Sequence, residues 1–166
     1  MSAASFPLAD LLLANGPAPD RADKMGLYGW LIGAWEMDAV LTADDGQQAT
    51  GHGRIRFAWV LEGRAIQDVW ILPGVFYGTT LRVYDPGLDA WHILWSDPVR
   101  QFYSRQIGRA RGPDIVQLGT TDAGVPVRWS FSEITPNSFR WLGERSLDSE
   151  ATWQTQAEFR ARRIGA

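Results

Sequence analysis

The chain contains no cysteine, which removes disulfides, thiolate metal sites and a cysteine nucleophile from consideration together. Histidine is almost as scarce. His52 and His92 are the only two, and neither has a second ligand at a spacing such as His-x-His or His-x-x-x-His, so no metal site is read from the sequence. Lysine is reduced to Lys24, leaving fifteen of the sixteen basic residues as arginine. With nineteen acidic residues the formal net charge is −3, which offers no general attraction for a phosphate backbone and argues against a nucleic-acid partner. Gly-x-Ser-x-Gly, a phosphate-binding loop and a dinucleotide fingerprint are also missing, which excludes the enzyme classes built on them. No apolar run approaches the roughly 20 residues of a membrane span. Met1–Gly16 lacks a basic n-region, and Asp10 interrupts Leu8, Leu11, Leu12 and Leu13, so it does not read as a secretory signal. The expectation is a soluble cytoplasmic protein with no membrane partner.

What the chain does have is aromatic bulk: nine tryptophans, seven phenylalanines and four tyrosines in 166 residues. That length is one domain's worth, and its hydrophobic content suffices for a sizeable core. Ser5 before Pro7, the Leu8/Leu11/Leu12 spacing and the stop at Asn15-Gly16-Pro17 predict a short amphipathic helix. A second weak helical turn runs from Asp20 through Leu27. Residues 1–30 thus read as a helical cap, and 31–163 as the body of the protein. In that body period-two alternation is punctuated by turn residues roughly every 8–12 positions. The pattern predicts strands at Ala34–Thr42, Gly53–Val60, Ala65–Leu72, Tyr77–Tyr84, Trp91–Ser96, Phe102–Arg109, Asp114–Leu118, Val127–Glu133, Phe139–Ser146 and Thr152–Arg160. Hairpin-linked strands without intervening helices make an antiparallel meander, and a twisted sheet that wide closes on itself to remove its edges. The expected fold is all-β: a single antiparallel up-and-down barrel of roughly eight to ten strands.

One hairpin can be registered by hand. A two-residue primed turn at Glu62-Gly63 pairs Trp59 with Ile66, Phe57 with Asp68 and Ile55 with Trp70, and opposed residues share a face. That face is apolar except for Asp68. The same alternation directs Trp35, Met37 and Leu41 inward, along with Trp91/Ile93/Trp95, Trp129/Phe131, Phe139/Trp141 and Trp153/Phe159. Such a barrel encloses more volume than aliphatic side chains need, so the aromatics either fill it or line a cavity. The outward residues Val69 and Ile71 form an apolar patch suited to a homodimer.

Gly33-Ala34-Trp35, a Gly-x-Trp at the head of the first strand, resembles the signature of the lipocalin and calycin superfamily. Trp59-x-Leu61-x-Gly63-Arg64, Gly78-Thr79-x-Leu81-x-Val83-Tyr84-Asp85-Pro86 and Trp129-x-Phe131-x-x-Ile134-Thr135-Pro136-x-Ser138-Phe139-x-Trp141 resemble bacterial lipocalin-like proteins of unknown function. Their barrel is shared more distantly with nitrobindin. The resemblance spans Leu31 to Arg163 and implies a ligand-holding barrel whose turn and Trp35 close one end. A nitrobindin-type haem site needs an inward histidine late in the chain, and none follows His92. Haem is therefore not expected, and no other cofactor is either.

The expected function is binding of a small hydrophobic or aromatic molecule, with Phe57, Trp59, Trp70, Tyr77, Trp95, Arg105 and Trp141 as binding residues. Asp68 stands open to three roles. An unpaired carboxylate among aromatics has its charged form destabilised and would suit general acid–base catalysis. It would equally suit recognition of a polar ligand group. An inward arginine, Arg105 or Arg145, would instead make it half of a structural ion pair. In the catalytic alternative the protein is a cofactor-free isomerase, cyclase or lyase acting on an aromatic or polyketide-like substrate, with Tyr77 and Arg105 assisting Asp68.

Overall fold

Each of the ten segments read as strands from their alternation forms a strand in the computed structural model, which describes residues 7–165. A short helix α1 (Leu8–Leu12) leads into a two-residue strand β1 (Leu13–Ala14), a single 3₁₀ turn (Pro19–Arg21) and helix α2 (Ala22–Gly29). The barrel strands are β2 (Gly33–Thr42), β3 (Gln48–Val60), β4 (Ala65–Leu72), β5 (Phe76–Asp85) and β6 (Ala90–Asp97). They continue as β7 (Phe102–Arg111), β8 (Asp114–Thr121), β9 (Pro126–Ser132), β10 (Ser138–Arg145) and β11 (Gln154–Ile164). Every strand from β2 to β11 pairs antiparallel with its sequence neighbours, and β11 pairs back onto β2. The result is a closed ten-stranded antiparallel barrel with β1 as an extra strand. β1 adds to the end of β3 beyond the reach of β2, pairing Leu13 with Val60 and Ala14 with Trp59. No helix among the described residues is long and apolar enough to cross a membrane.

The β3–β4 register follows the expected pairs Ile55–Trp70, Phe57–Asp68 and Trp59–Ile66. Its turn is wider than expected. Leu61, Glu62 and Gly63 all have positive φ, at 54°, 57° and 77°, and overlapping bonds run from Gly63 N–H to the Val60 carbonyl (3.0 Å) and from Arg64 N–H to that of Leu61 (3.1 Å). Glycine is required at 63 for a second reason: a Cβ there would run into the backbone of Gly16 and Pro17. The N-terminal segment lies across this turn, with Leu61 N–H donating to Leu12 and Ala18 N–H to Gly63, both at 2.9 Å.

The element that plugs the barrel is α2, not α1. α1 buries no residue, and Leu8 and Leu11 remain 74% and 75% exposed; five residues amount to little more than one helical turn. The expected start at Ser5 lies outside the described residues. From α2 and its exit, Met25, Tyr28 and Leu31 are fully buried in one cluster with Trp35, Phe131 and Phe139, in which Tyr28 meets Phe131 edge-on at 6.2 Å and Trp35 meets Phe139 edge-on at 4.9 Å. Trp35 donates its indole N–H to the Leu31 carbonyl at 2.7 Å. Arg163, late in the last strand, lies 4.1 Å over the Trp35 ring and donates to the carbonyls of Trp30 (2.6 Å), Ile32 (2.7 Å) and Pro136 (2.9 Å). The bonds to Trp30 and Ile32 occupy carbonyls that the end of α2 and its exit leave without helical partners. One end of the barrel is therefore shut by packing and by an arginine that joins the chain's two ends.

The alternation rule fails at Trp153. Between Gly143–Ala157 and Glu144–Thr155 the ladder skips Gln156, and an extra residue in one strand reverses which side chains face inward beyond it. Trp153 consequently sits outside, with the Arg128 guanidinium 4.4 Å over its ring, while Arg128 also pairs with Glu144 at 2.7 Å. His52 is likewise outside, paired with Asp38 at 3.0 Å, and His92 pairs with Asp85 at 2.8 Å. Val69 and Ile71 are half-buried on the outer face of β4, next to the more exposed Tyr77.

Candidate ligand cavity

With α2 filling one end, the opposite half of the barrel is left open. It holds a cavity of about 780 Å³ whose mouth lies among the loops after β2, β6, β8 and β10. The walls are aromatic and interlocked. Ring contacts run from Trp95 to Trp129 (6.1 Å), to Trp141 (5.4 Å), to Phe159 (4.8 Å), to Phe76 (5.9 Å) and back to Trp95 (6.2 Å). These contacts form a closed belt, which Trp70 joins at 5.9 Å from Trp141 and 5.8 Å from Phe159. Trp141 and Phe159 are nearly parallel, at 9°. Gly143 makes that possible, because a side chain there would collide with the Trp141 indole.

Below the belt the wall becomes polar. Asp68 is buried and forms an ion pair with Arg82, not with Arg105 or Arg145. Its other oxygen accepts the Thr80 backbone N–H at 2.7 Å. Arg82 is itself almost wholly buried, its guanidinium stacked above Tyr28 (5.3 Å), Phe57 (5.5 Å) and Phe131 (5.8 Å). Thr80 and Arg82 form the cavity floor, whereas Asp68 lies behind them. A buried chain of polar side chains continues from Tyr28: its hydroxyl donates to Gln117 (3.0 Å), Gln117 to Gln106 (3.4 Å) and Gln106 to Ser104 (3.0 Å). Burial pushes the Tyr28 phenol far above its ordinary pKa, and the nearby Arg82 charge only partly opposes this, so Tyr28 stays a neutral donor. At the mouth, Asp97 accepts backbone N–H bonds from Val99 (3.0 Å) and Arg100 (3.2 Å) through one oxygen. Arg145 reaches across to pair with Asp44.

Of the binding residues expected from sequence, Trp70, Trp95 and Trp141 line this cavity. Phe57 is buried beneath it, edge-on to Trp70 at 5.9 Å. Trp59 packs at the closed end, where its ring approaches Gly29 of α2. Tyr77 and Arg105 point outward and are exposed, which removes both from the neighbourhood of Asp68. The reason is parity: on β5 the inward set is Phe76, Gly78, Thr80, Arg82 and Tyr84, and on β7 it is Phe102, Ser104 and Gln106. Sequence reasoning missed Arg82, Thr80, Phe76 and Asp97. β5 carries Leu81 and Val83 on its outer face and Thr80 and Arg82 on its inner one, the reverse of the usual hydrophobic rule. The signal available was register, since Asp68 stands directly opposite Thr80 and next to Arg82. Among the described residues no group of three or more histidines and carboxylates is placed to hold a metal ion.

No protein-family model and no curated protein matches the chain. Solved structures do. Rv2717c from M. tuberculosis superposes with a TM-score of 0.64 at 13% identity, covering 90% of this chain and 99% of that one. The S-type phycobiliprotein lyase CPES from Guillardia theta does so with a TM-score of 0.59 at 11% identity, again covering 90% and 99%. The shared property is the fold, a closed antiparallel β-barrel.

Proposed function

We propose that this barrel binds a small, predominantly aromatic molecule in the cavity above Arg82. The observation that carries the reading is an open cavity of about 780 Å³ whose wall includes Trp70, Phe76, Trp95, Trp129, Trp141 and Phe159, inside the range of roughly 300–1,000 Å³ typical of small-molecule sites. Aromatic edges and faces on a cavity wall favour a planar guest, which stacks on or meets the rings edge-on. The fold is compatible with such a role, since a phycobiliprotein lyase has a similar barrel. Asp68 as a general acid or base has less support, because both its oxygens are engaged and it sits behind the floor.

The test is intrinsic tryptophan emission titrated with a panel of two- and three-ring aromatic compounds. Saturable quenching at micromolar concentration is expected, and replacing half-buried Val125 at the mouth with tryptophan should abolish it while leaving the fold intact. Absence of any response below millimolar concentration would overturn the reading.

A further inference from the structure

The floor of the cavity is chemically one-sided, and that narrows the guest. Arg82 spends Nη1 on Asp68. Its Nε is buried with no hydrogen-bond partner, and Nη2 makes no hydrogen bond to the described residues. Nε and Nη2 form the side edge of a guanidinium, the pair of parallel N–H groups that matches the two oxygens of a carboxylate. Beside it the Trp70 indole N–H is buried without a partner, and the Thr80 hydroxyl contributes another polar group to the same floor. The Asp68 carboxylate is already occupied and lies behind the wall. Unpaired donors in a dry wall are costly, about 1–3 kcal/mol each, and this cost is relieved when an acceptor arrives.

Charge orients the guest as well. Asp97, 1% exposed, lines the cavity on its mouth side and leaves one carboxylate oxygen unpartnered. The mouth also carries Arg100 and Arg145, the latter paired with Asp44; an anionic group beside Asp97 would face its charge, whereas at the floor it meets the free edge of Arg82 and the Trp70 N–H. Resting on the ligand-binding reading above, we infer that the ligand is an aromatic carboxylate, bound with its carboxylate inward on the Nε/Nη2 edge of Arg82 and its ring system inside the tryptophan belt.

The probes are naphthalene-2-carboxylate and its uncharged analogue 2-naphthamide, which share a ring system and differ at the polar end. Calorimetry should show the carboxylate binding about ten- to a hundred-fold more tightly, the span expected for charge-assisted, bidentate bonding. In protein labelled with ¹⁵N-arginine, the Arg82 Nε–Hε resonance should move on adding the carboxylate and stay in place with the amide. Arg82→Lys keeps a cation for Asp68 but has no side edge, so it should reduce the preference for the carboxylate over the amide to within about two-fold. Should that variant fold poorly by near-ultraviolet circular dichroism, the resonance shift in the unmodified protein decides the matter. Equal binding of both probes with an unmoved Arg82 signal would refute the carboxylate anchor and leave the aromatic-binding reading standing. A carboxylate preference that survives Arg82→Lys would also refute it, assigning the preference to Arg100 or Arg145 at the mouth. If neither probe binds at millimolar concentration, the ligand-binding reading falls and the anchor with it.

Discussion

Replacing Asp68 with alanine should cost about 3–5 kcal/mol of stability, the usual penalty for stranding the other half of a buried ion pair. The structure places this case among fully desolvated ones: the Asp68 and Arg82 side chains are 0% and 2% exposed. Without Asp68 the guanidinium keeps its three stacked rings but has no counter-charge, and the Thr80 N–H loses its acceptor as well. For a chain of 166 residues, each kcal/mol corresponds to roughly 2–4 °C in Tm, so a fall of about 6–20 °C is expected in calorimetry at pH 7. The decisive comparison is the double variant Asp68→Val with Arg82→Met. It removes both charges and keeps approximate volume, and such replacements are often neutral or stabilising. It should therefore lie closer to the unmodified protein than either single variant does, with a large favourable coupling in the double-mutant cycle. Additive losses, or a single-variant loss under about 1 kcal/mol, would mean that water reaches the pair and that the floor is not dry. That result would also weaken the case for unpaired donors there.

Two further outcomes follow from other parts of the molecule. Arg163→Ala removes three bonds to the carbonyls of Trp30, Ile32 and Pro136 and the stacking on Trp35; a loss of about 2–4 kcal/mol by urea denaturation is expected, with faster amide exchange in α2, and Arg163→Lys should recover less than half because an ammonium cannot bridge separated carbonyls while lying flat on an indole. Asp148 is held at a pKa of about 2 by the Thr152 hydroxyl first, then the Thr152 and Ser146 donors; a depressed carboxylate contributes to stability above its unfolded pKa and loses that contribution as pH falls through the folded value, so the Thr152 amide resonance should hold its position at pH 3 and titrate near pH 2, and a midpoint close to 4 would contradict the bonding.

Much of the architecture is written locally. Alternation and turn residues located the ten strands because a strand half-exposed to solvent must place apolar residues on one side, and that constraint acts residue by residue. Register in the β3–β4 hairpin was legible for the same reason: a turn between adjacent strands sets which residues oppose each other, and Phe57 opposite Asp68 followed. The belt was legible in part, as Trp70, Trp95 and Trp141 were on inward positions. Trp153 escaped because one skipped residue, Gln156, inverts parity, and a bulge leaves no mark in composition. Tyr77 and Arg105 were misassigned where β5 and β7 carry polar groups inside, a pattern that makes sense only once the groups that satisfy each other are known. Asp68 and Arg82 sit on neighbouring strands, both buried, and each is tolerable there only because of the other. Alternation along the chain, a local property, thus specified a barrel rich in inward tryptophan. Which carboxylate meets which arginine, which end is plugged by α2 and which stays open depend on how closure juxtaposes distant strands, and only the tertiary structure decides them.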